Sequence, residues 1–282
     1  MSASGFGTWE QAVNWLRSQP DRQELVRACY FDAPLSAAAE RYWSSAEWGS
    51  IREVIGSGGG RVLDIGAGMG IASYALARDG WTVTAVEPDP SGVVGAGAIR
   101  GLAQQAGLGI EVVEDFGETL PFADGSFDLV HARQVLHHAK NLEQFVRELF
   151  RVVRPGGRLI ATREHVISGP EQMQAFLDGH ALHSLYGGEN AFTLPRYLGA
   201  LEAAGFRIQK VLAPFDSPIN YAPMDRKVIG TEIKHRLGDR RLLNWGVDIA
   251  MSELLFPVSL RLLSKVDRRP GRLYSFVAVR QS

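Results

Sequence analysis

A chain of 282 residues with 30 Lys and Arg against 31 Asp and Glu carries a formal net charge of -1, which argues against a general nucleic-acid binder, since such proteins are basic. Its length fits one large domain or one domain with a sizeable appendage, and its 45% hydrophobic and 22% charged residues are those of an ordinary soluble protein. The single cysteine, Cys29, rules out an intrachain disulfide and a Cys-based zinc site. Met1 to Gly7 lacks a basic segment followed by an apolar run, and no stretch is long and apolar enough to span a bilayer, so no signal peptide and a cytoplasmic location are expected.

Residues 1–56 read as helical. Trp9, Val13 and Leu16 mark one face and Leu25, Ala28 and Cys29 another; after Ala37 to Trp43, Trp48, Ile51 and Ile55 continue the apolar face. Such an extension packs on a core or forms a lid, with Tyr30, Phe31, Tyr42 and Trp43 as candidates to face a ligand. Gly56-Ser57-Gly58-Gly59-Gly60 reads as a flexible joint into a first strand, Val62 to Ile65. That strand ends in Gly66, Gly68 and Gly70, and a helical segment follows, Met69 to Arg78, stopped by Gly80. Trp81 to Glu87 reads as strand two, Ser91 to Ala106 as a glycine-weakened helix, Ile110 to Glu114 as strand three and Phe127 to His131 as strand four. Leu142 to Val153 has helical spacing, and Pro155-Gly156-Gly157 turns the chain into strand five, Arg158 to Thr162. Leu194 to Ala204 reads as a helix, Phe206 to Leu212 as strand six and Tyr274 to Val279 as strand seven. Between the last two, Pro214 to Arg272 is too long for a plain loop. It holds a helix-like run, Leu242 to Leu263, broken by Pro257, and its basic residues Arg261, Lys265, Arg268, Arg269 and Arg272 form a solvated edge or a surface for an anionic or lipid-linked substrate.

Alternating strands and helices predict an α/β fold: a Rossmann-like, doubly wound, seven-stranded, mostly parallel sheet. The predicted domains are a helical N-terminal lid (1–56), a core (57–213 and 272–282) and a helical cap inserted before the last strand (214–271).

Chemistry concentrates at the carboxyl ends of the strands, where open α/β sheets bind ligands. Glycines after strand one let the backbone take positive φ and admit a ligand closely, at a helix start that supplies free N–H groups. The pattern is G-x-G-x-G, with Ile71 where the dinucleotide fingerprint wants its third glycine. Asp64, two residues before the turn, suits a ligand with a positive group better than a pyrophosphate. Glu87 ends strand two, Asp115-Phe116 follows strand three and Leu136-His137-His138 follows strand four.

In this order the motifs resemble the class I S-adenosylmethionine (SAM) methyltransferases, in their small-molecule subgroup (methyltransferase type 11-like). The resemblance covers Arg61 to about Arg163 well and Leu194 to Leu212 more loosely. It implies SAM as cofactor. Gly66, Ala67, Gly68 and Gly70 would lie against its methionine portion and ribose, and Asp64 near the amino group. Glu87, followed by Pro88, would grip the ribose hydroxyls. Asp115 would accept from the adenine amino group beside Phe116, and the backbone of Ala132 and Arg133 would line the sulfonium.

A sulfonium methyl is already activated, so the protein mainly aligns the acceptor; a hydroxyl acceptor also needs a base. His165 is the first candidate, His183 the next and His138 a third, while His137 and His138 also suit a structural role. Glu164 and His180 lie nearby. The spacing of His180 and His183 with Glu164-His165 is too loose to predict a metal. Glu189 and Asn190, in a polar segment after strand five, suit a polyhydroxylated acceptor. The arrangement resembles that of methyltransferases of sugars, glycolipids and secondary metabolites, and that resemblance implies O-methylation of a small-molecule, carbohydrate or glycolipid acceptor. No nucleic-acid partner is expected, and membrane contact is not favoured. The rivals are a SAM-fold binding protein without methyl transfer and a nicotinamide-dependent dehydrogenase, because Glu87 serves either cofactor.

Overall fold

The computed structural model describes residues 5–56, 58–238 and 240–281. Met1 to Ser4, part of the N-terminal reading, and Ser57 of the predicted joint lie outside the described residues. The strands are β1 (Arg61–Ile65), β2 (Thr82–Val86), β3 (Ile110–Val113), β4 (Phe127–Arg133), β5 (Val153–Ile167), β6 (Phe192–Thr193), β7 (Phe206–Leu212) and β8 (Arg272–Arg280). Seven of them run in the order β3-β2-β1-β4-β5-β8-β7, and the two-residue β6 pairs with β5 off this path. All pairs are parallel except those of β8, which is antiparallel to β5 and β7. The sheet is the mostly parallel, doubly wound one that the sequence predicts.

Both faces are covered, which is why the central strands read as apolar runs. On one face the helices Ala46–Ile55 and Ile71–Arg78 pack Trp48, Ile51, Ile55 and Leu76 over Val62, Val83 and Leu129. On the other, Leu142–Val152 and Leu194–Ala204 bury Leu149, Val152, Tyr197 and Leu201 against Leu63, Val130 and Phe276. The chain leaves β1 in one direction to β2 and returns to β4 on the other side. The crevice at this switch point is where such sheets take ligands.

Several elements differ from the sequence reading for local reasons. The second crossover helix starts at Ala96, not Ser91, because the Ser91 hydroxyl accepts from the N–H groups of Val93 and Val94 and closes a turn there. β5 is three times its predicted length: Pro155-Gly156-Gly157 is absorbed as a register shift against β4, and the strand then continues to Ile167. The run Leu242 to Leu263 is two helices, Arg241–Ala250 and Phe256–Val266, with Pro257 in the first turn of the second, where its missing N–H costs nothing. In this cap Leu242, Trp245 and Leu254 are exposed. No helix among the described residues is long and apolar enough to cross a membrane.

Two glycines of the predicted joint, Gly58 and Gly60, are tightly packed. A Cβ on Gly58 would sit 2.3 Å from the Asp79 carbonyl oxygen, and one on Gly60 2.8 Å from the Asp128 carboxylate. Asp79 fastens the N-terminal helices to the core. It accepts from the indoles of Trp43 and Trp48, each at 2.8 Å, and from Arg52 Nε at 2.7 Å. Burial raises its pKa, but these donors outweigh that and hold it below the usual carboxylate range.

Candidate functional site

A cleft of about 790 Å³ opens at the carboxyl ends of β1, β2, β4 and β5, within the size range of small-molecule sites. One end is built from the turn after β1. Gly66 and Gly68 have φ of +63° and +55°, but their roles differ. A Cβ on Gly66 would lie 2.2 Å from Val135 Cγ2, so packing forbids a side chain there. A Cβ on Gly68 would meet nothing within 4 Å, and Gly68 lines the cleft: it presents bare backbone to open space. Gly70 stands behind the wall against Ile99, while Gly66 and Ala67 lie on it.

Glu87 lies over this turn. Its Oε2 accepts from the Gly68 N–H at 2.7 Å and its Oε1 from the Asp89 N–H at 3.0 Å. Burial pushes its carboxyl above the usual range despite these two bonds. Pro88 lines the cleft beside it. Asp64 is buried at the cleft floor, and both its oxygens are engaged: Oδ2 accepts from Ser73 Oγ at 2.5 Å and Oδ1 pairs with His131 Nδ1 at 2.7 Å. Asp115 accepts from the Phe116 N–H at 2.8 Å and does not reach the wall, whereas Phe116 is exposed at the rim. Ala132 is buried within β4 behind the wall; the Arg133 side chain is on it.

The opposite end is a wall of imidazoles. A bulge in β5, between Ala161 and Glu164 in its pairing with β8, places Arg163 at φ +61°. Bulges re-aim the residues that follow. Glu164 turns under the loop after β4 and accepts from the N–H groups of Val135, Leu136 and His137, each at 3.1 Å, and pairs with His137 Nδ1 at 2.7 Å. Burial opposes charge on this pair, but each partner holds the other ionised: His137 is shifted up and Glu164 down. His165 gives Nδ1–H to the Gly271 carbonyl at 3.0 Å, and burial, reinforced by the neighbouring His137, lowers its pKa to about 4. His138 Nδ1 meets the Gly188 carbonyl at 3.1 Å. His137, His138, His165, His180 and Glu189 all line the cleft; His183 does not.

Two features here had no sequence signal. Glu47, buried on the helix Ala46–Ile55, accepts from Arg133 Nε at 2.7 Å and lies 3.4 Å from Arg163 Nη1. Arg163 also donates to the carbonyls of Ile219 and Ala222, tying the helix Pro218–Tyr221 to β5. Gln134 and Arg163 both line the cleft in left-handed backbone conformations, a strain that concentrates at functional sites. Long-range pairs of this kind leave no spacing to read in a chain.

The N-terminal segment supplies the outer wall through Trp9, Leu25, Ala28, Cys29 and Phe31. Of the four aromatics considered for a lid, Phe31 lines the cleft. Tyr42 is core, edge-on to Tyr30 and tilted against Trp48, and Trp43 faces Arg52 and Arg78.

Comparison with known proteins matches residues 63–161 to the methyltransferase domain family. The match spans 99 of the 282 residues. An uncharacterized methyltransferase of Mycobacterium sp. (strain JLS) is 41% identical over 100 residues, covering 36% of this chain and 37% of that one. A demethylmenaquinone methyltransferase of Mycolicibacterium paratuberculosis is 37% identical over 129 residues, covering 45% and 50%. The chain thus spans half or less of the curated relatives it matches. Among solved structures, an S-adenosylmethionine dependent methyltransferase from Mesorhizobium loti superposes with a TM-score of 0.53 at 19% identity, covering 84% of this chain and 99% of that one. The [4+2]-cyclase SpnF gives 0.55 at 22%, covering 88% and 82%. At these identities the likeness is one of fold alone.

Proposed function

We propose that the protein is a SAM-dependent methyltransferase acting on an oxygen of a small-molecule acceptor. The supporting observation is the pairing of two buried carboxylates, Asp64 and Glu87, with the bare backbone of Gly68 in one cleft. Asp64 beside the turn repels a pyrophosphate and attracts a cationic group, which favours SAM over a nicotinamide cofactor. Glu87 has lone pairs left for two vicinal hydroxyls. Asp64, with its oxygens engaged, serves the amino group as a fixed negative charge rather than as a direct acceptor. Phe116 at the rim covers the base and Asp115 stands behind it.

The acceptor enters between the imidazole wall and the apolar N-terminal wall, so it carries a polar reacting group on an apolar or ring-shaped body. A carbohydrate or glycolipid acceptor fits this description, as does the quinone-type acceptor in the name of the mycobacterial relatives. His138 commits Nδ1 to the Gly188 carbonyl and keeps Nε2 for the acceptor hydroxyl, while His165, its Nδ1 held by the Gly271 carbonyl, stands beside it on the same wall. His183, away from the wall, supports the covering segment.

Calorimetry with SAM and its demethylated product tests cofactor binding, and single-turnover mass spectrometry with an acceptor pool tests transfer. Binding of both with a 14-dalton gain on an acceptor is expected. No binding rejects the reading. Binding without transfer to any hydroxyl compound leaves a SAM-fold protein that, like the cyclase neighbour by its name, uses the fold for something else.

A further inference from the structure

We propose that His137, His165 and Glu189 hold a divalent transition-metal ion, Zn²⁺ or one of similar size, at the acceptor end of the cleft. One ligand atom from each residue lies within 4.8 Å of the other two. The sequence conceals this set, because the three residues come from the loop after β4, from β5 beyond its bulge, and from the segment before β6.

Both histidines are built as ligands. A metal-binding imidazole typically gives its second nitrogen to a carboxylate or a backbone carbonyl, which fixes tautomer and ring orientation. His137 Nδ1 pairs with Glu164 and His165 Nδ1 with the Gly271 carbonyl. Each therefore turns Nε2 to the ion, and His137, held protonated by Glu164 in the metal-free protein, releases its Nε2 proton as the ion binds. Glu164 is itself clamped by three backbone N–H groups, so the anchor of His137 is rigid. His137 Nε2 and Glu189 Oε2 are 3.7 Å apart, too far for a hydrogen bond and near the spacing of two ligands on one ion.

Two His and one carboxylate with an open position is a catalytic zinc donor set. Bonds of about 2.0–2.2 Å place ligand atoms roughly 3.3–3.6 Å apart in a tetrahedron, so a separation at the 4.8 Å limit must contract by about 1.2–1.5 Å. Glu189 can supply that movement. It follows Gly187 and Gly188, both at positive φ, whereas the two histidines are buried and anchored. The open position faces the cleft that all three residues line.

The role of the ion rests on the methyltransferase reading. The ion binds the acceptor hydroxyl oxygen and lowers its pKa. The proton passes through His138 at the mouth to water. The oxygen then forms its bond to the methyl carbon as the C–S bond breaks, and the electron pair stays on sulfur as a neutral thioether.

The test uses full-length, tag-free protein stripped with a chelator and titrated with Co²⁺, read by its visible absorption and by Zn²⁺ competition. One ion per chain is expected, with binding at least about tenfold weaker in Glu189→Gln and in His165→Asn. Glu189 is on a loop, so that variant reports even where His165→Asn fails to fold. SAM calorimetry runs in parallel: Glu87→Ala should lose SAM and keep Co²⁺, and Glu189→Gln the reverse. No saturable signal near one ion per chain, or full binding in Glu189→Gln, overturns the metal site and leaves the methyltransferase reading standing. Co²⁺ binding without SAM binding overturns that reading and leaves the site.

Discussion

The two ends of the cleft are made in opposite ways. The end with Gly66, Gly68, Asp64 and Glu87 is local: a strand, a turn and a helix start, with the next strand end laid over them. Its Glu87 is held by backbone N–H groups. The imidazole end is assembled from distant residues, with Glu47 reaching Arg133 and Arg163, and Glu164 reaching the loop at 135–137. A site built on backbone can lose a side chain and keep its shape. A site built on buried charge pairs cannot, because the abandoned partner is left desolvated. The local end should therefore fail in binding and the assembled end in stability.

The largest effect is expected at the assembled end. Glu47→Ala leaves Arg133 and Arg163 facing each other, buried, without their carboxylate. A loss of about 3–5 kcal/mol is expected in urea unfolding. Stability within 1 kcal/mol of the parent would show that solvent already reaches this pair, and the contrast between the two ends would break.

At the local end, Glu87→Ala removes the acceptor for two hydroxyl donors. Hydrogen bonds to a charged group contribute about 1.5–3 kcal/mol each, so SAM affinity should fall at least about 100-fold in calorimetry. The melting temperature should hold or rise, since a desolvated carboxylate has been removed. A large fall in both would mean that Glu87 supports the fold rather than the ligand.

These differences decide what a sequence shows. The turn, Glu87 and the order of strands were legible because backbone sites need glycines and acids at short, fixed separations. Asp64 was legible as a residue but not in its partners, Ser73 and His131, which come from a helix face and a neighbouring strand. Asp115 and Ala132 stand at the expected strand ends but off the cleft wall, a distinction of side-chain direction that spacing does not carry. Glu189 was legible as polar and near the acceptor. Its approach to His137 and His165 depends on a bulge in β5 that no residue pattern announced.

The glycines sharpen the contrast within a single turn. Alanine at either position costs roughly 1–2 kcal/mol for a left-handed backbone. Gly66→Ala adds overpacking against Val135, about 1–3 kcal/mol more. Gly68→Ala adds nothing to the fold but sets a methyl in the cleft. Thermal melts should show the greater loss for Gly66→Ala. Among variants still folded at 20 °C, Gly68→Ala should show the greater loss of SAM affinity per unit of stability lost. The reverse order would place the ligand on the other side of the turn.

The smallest effect is one of pH, and its sign is informative. Burial raises the Glu87 pKa above the ordinary value of about 4.3, so at mildly acid pH the folded protein holds a proton there that the unfolded chain has released. This site's contribution to stability is present at low pH and lost as pH rises through the folded pKa. Asp79, with its pKa lowered, contributes the opposite way: its stabilisation is present above the unfolded carboxylate pKa and lost as pH falls through its folded value. SAM requires the ionised Glu87, so affinity should be flat near neutrality and fall by up to tenfold per pH unit below the Glu87 pKa, at a pH where the fold is still intact. Glu87→Gln should flatten that profile while leaving the acid unfolding set by Asp79 in place. If the variant keeps the wild-type fall in affinity, the titrating carboxylate is another one, and Asp64 is the next to replace.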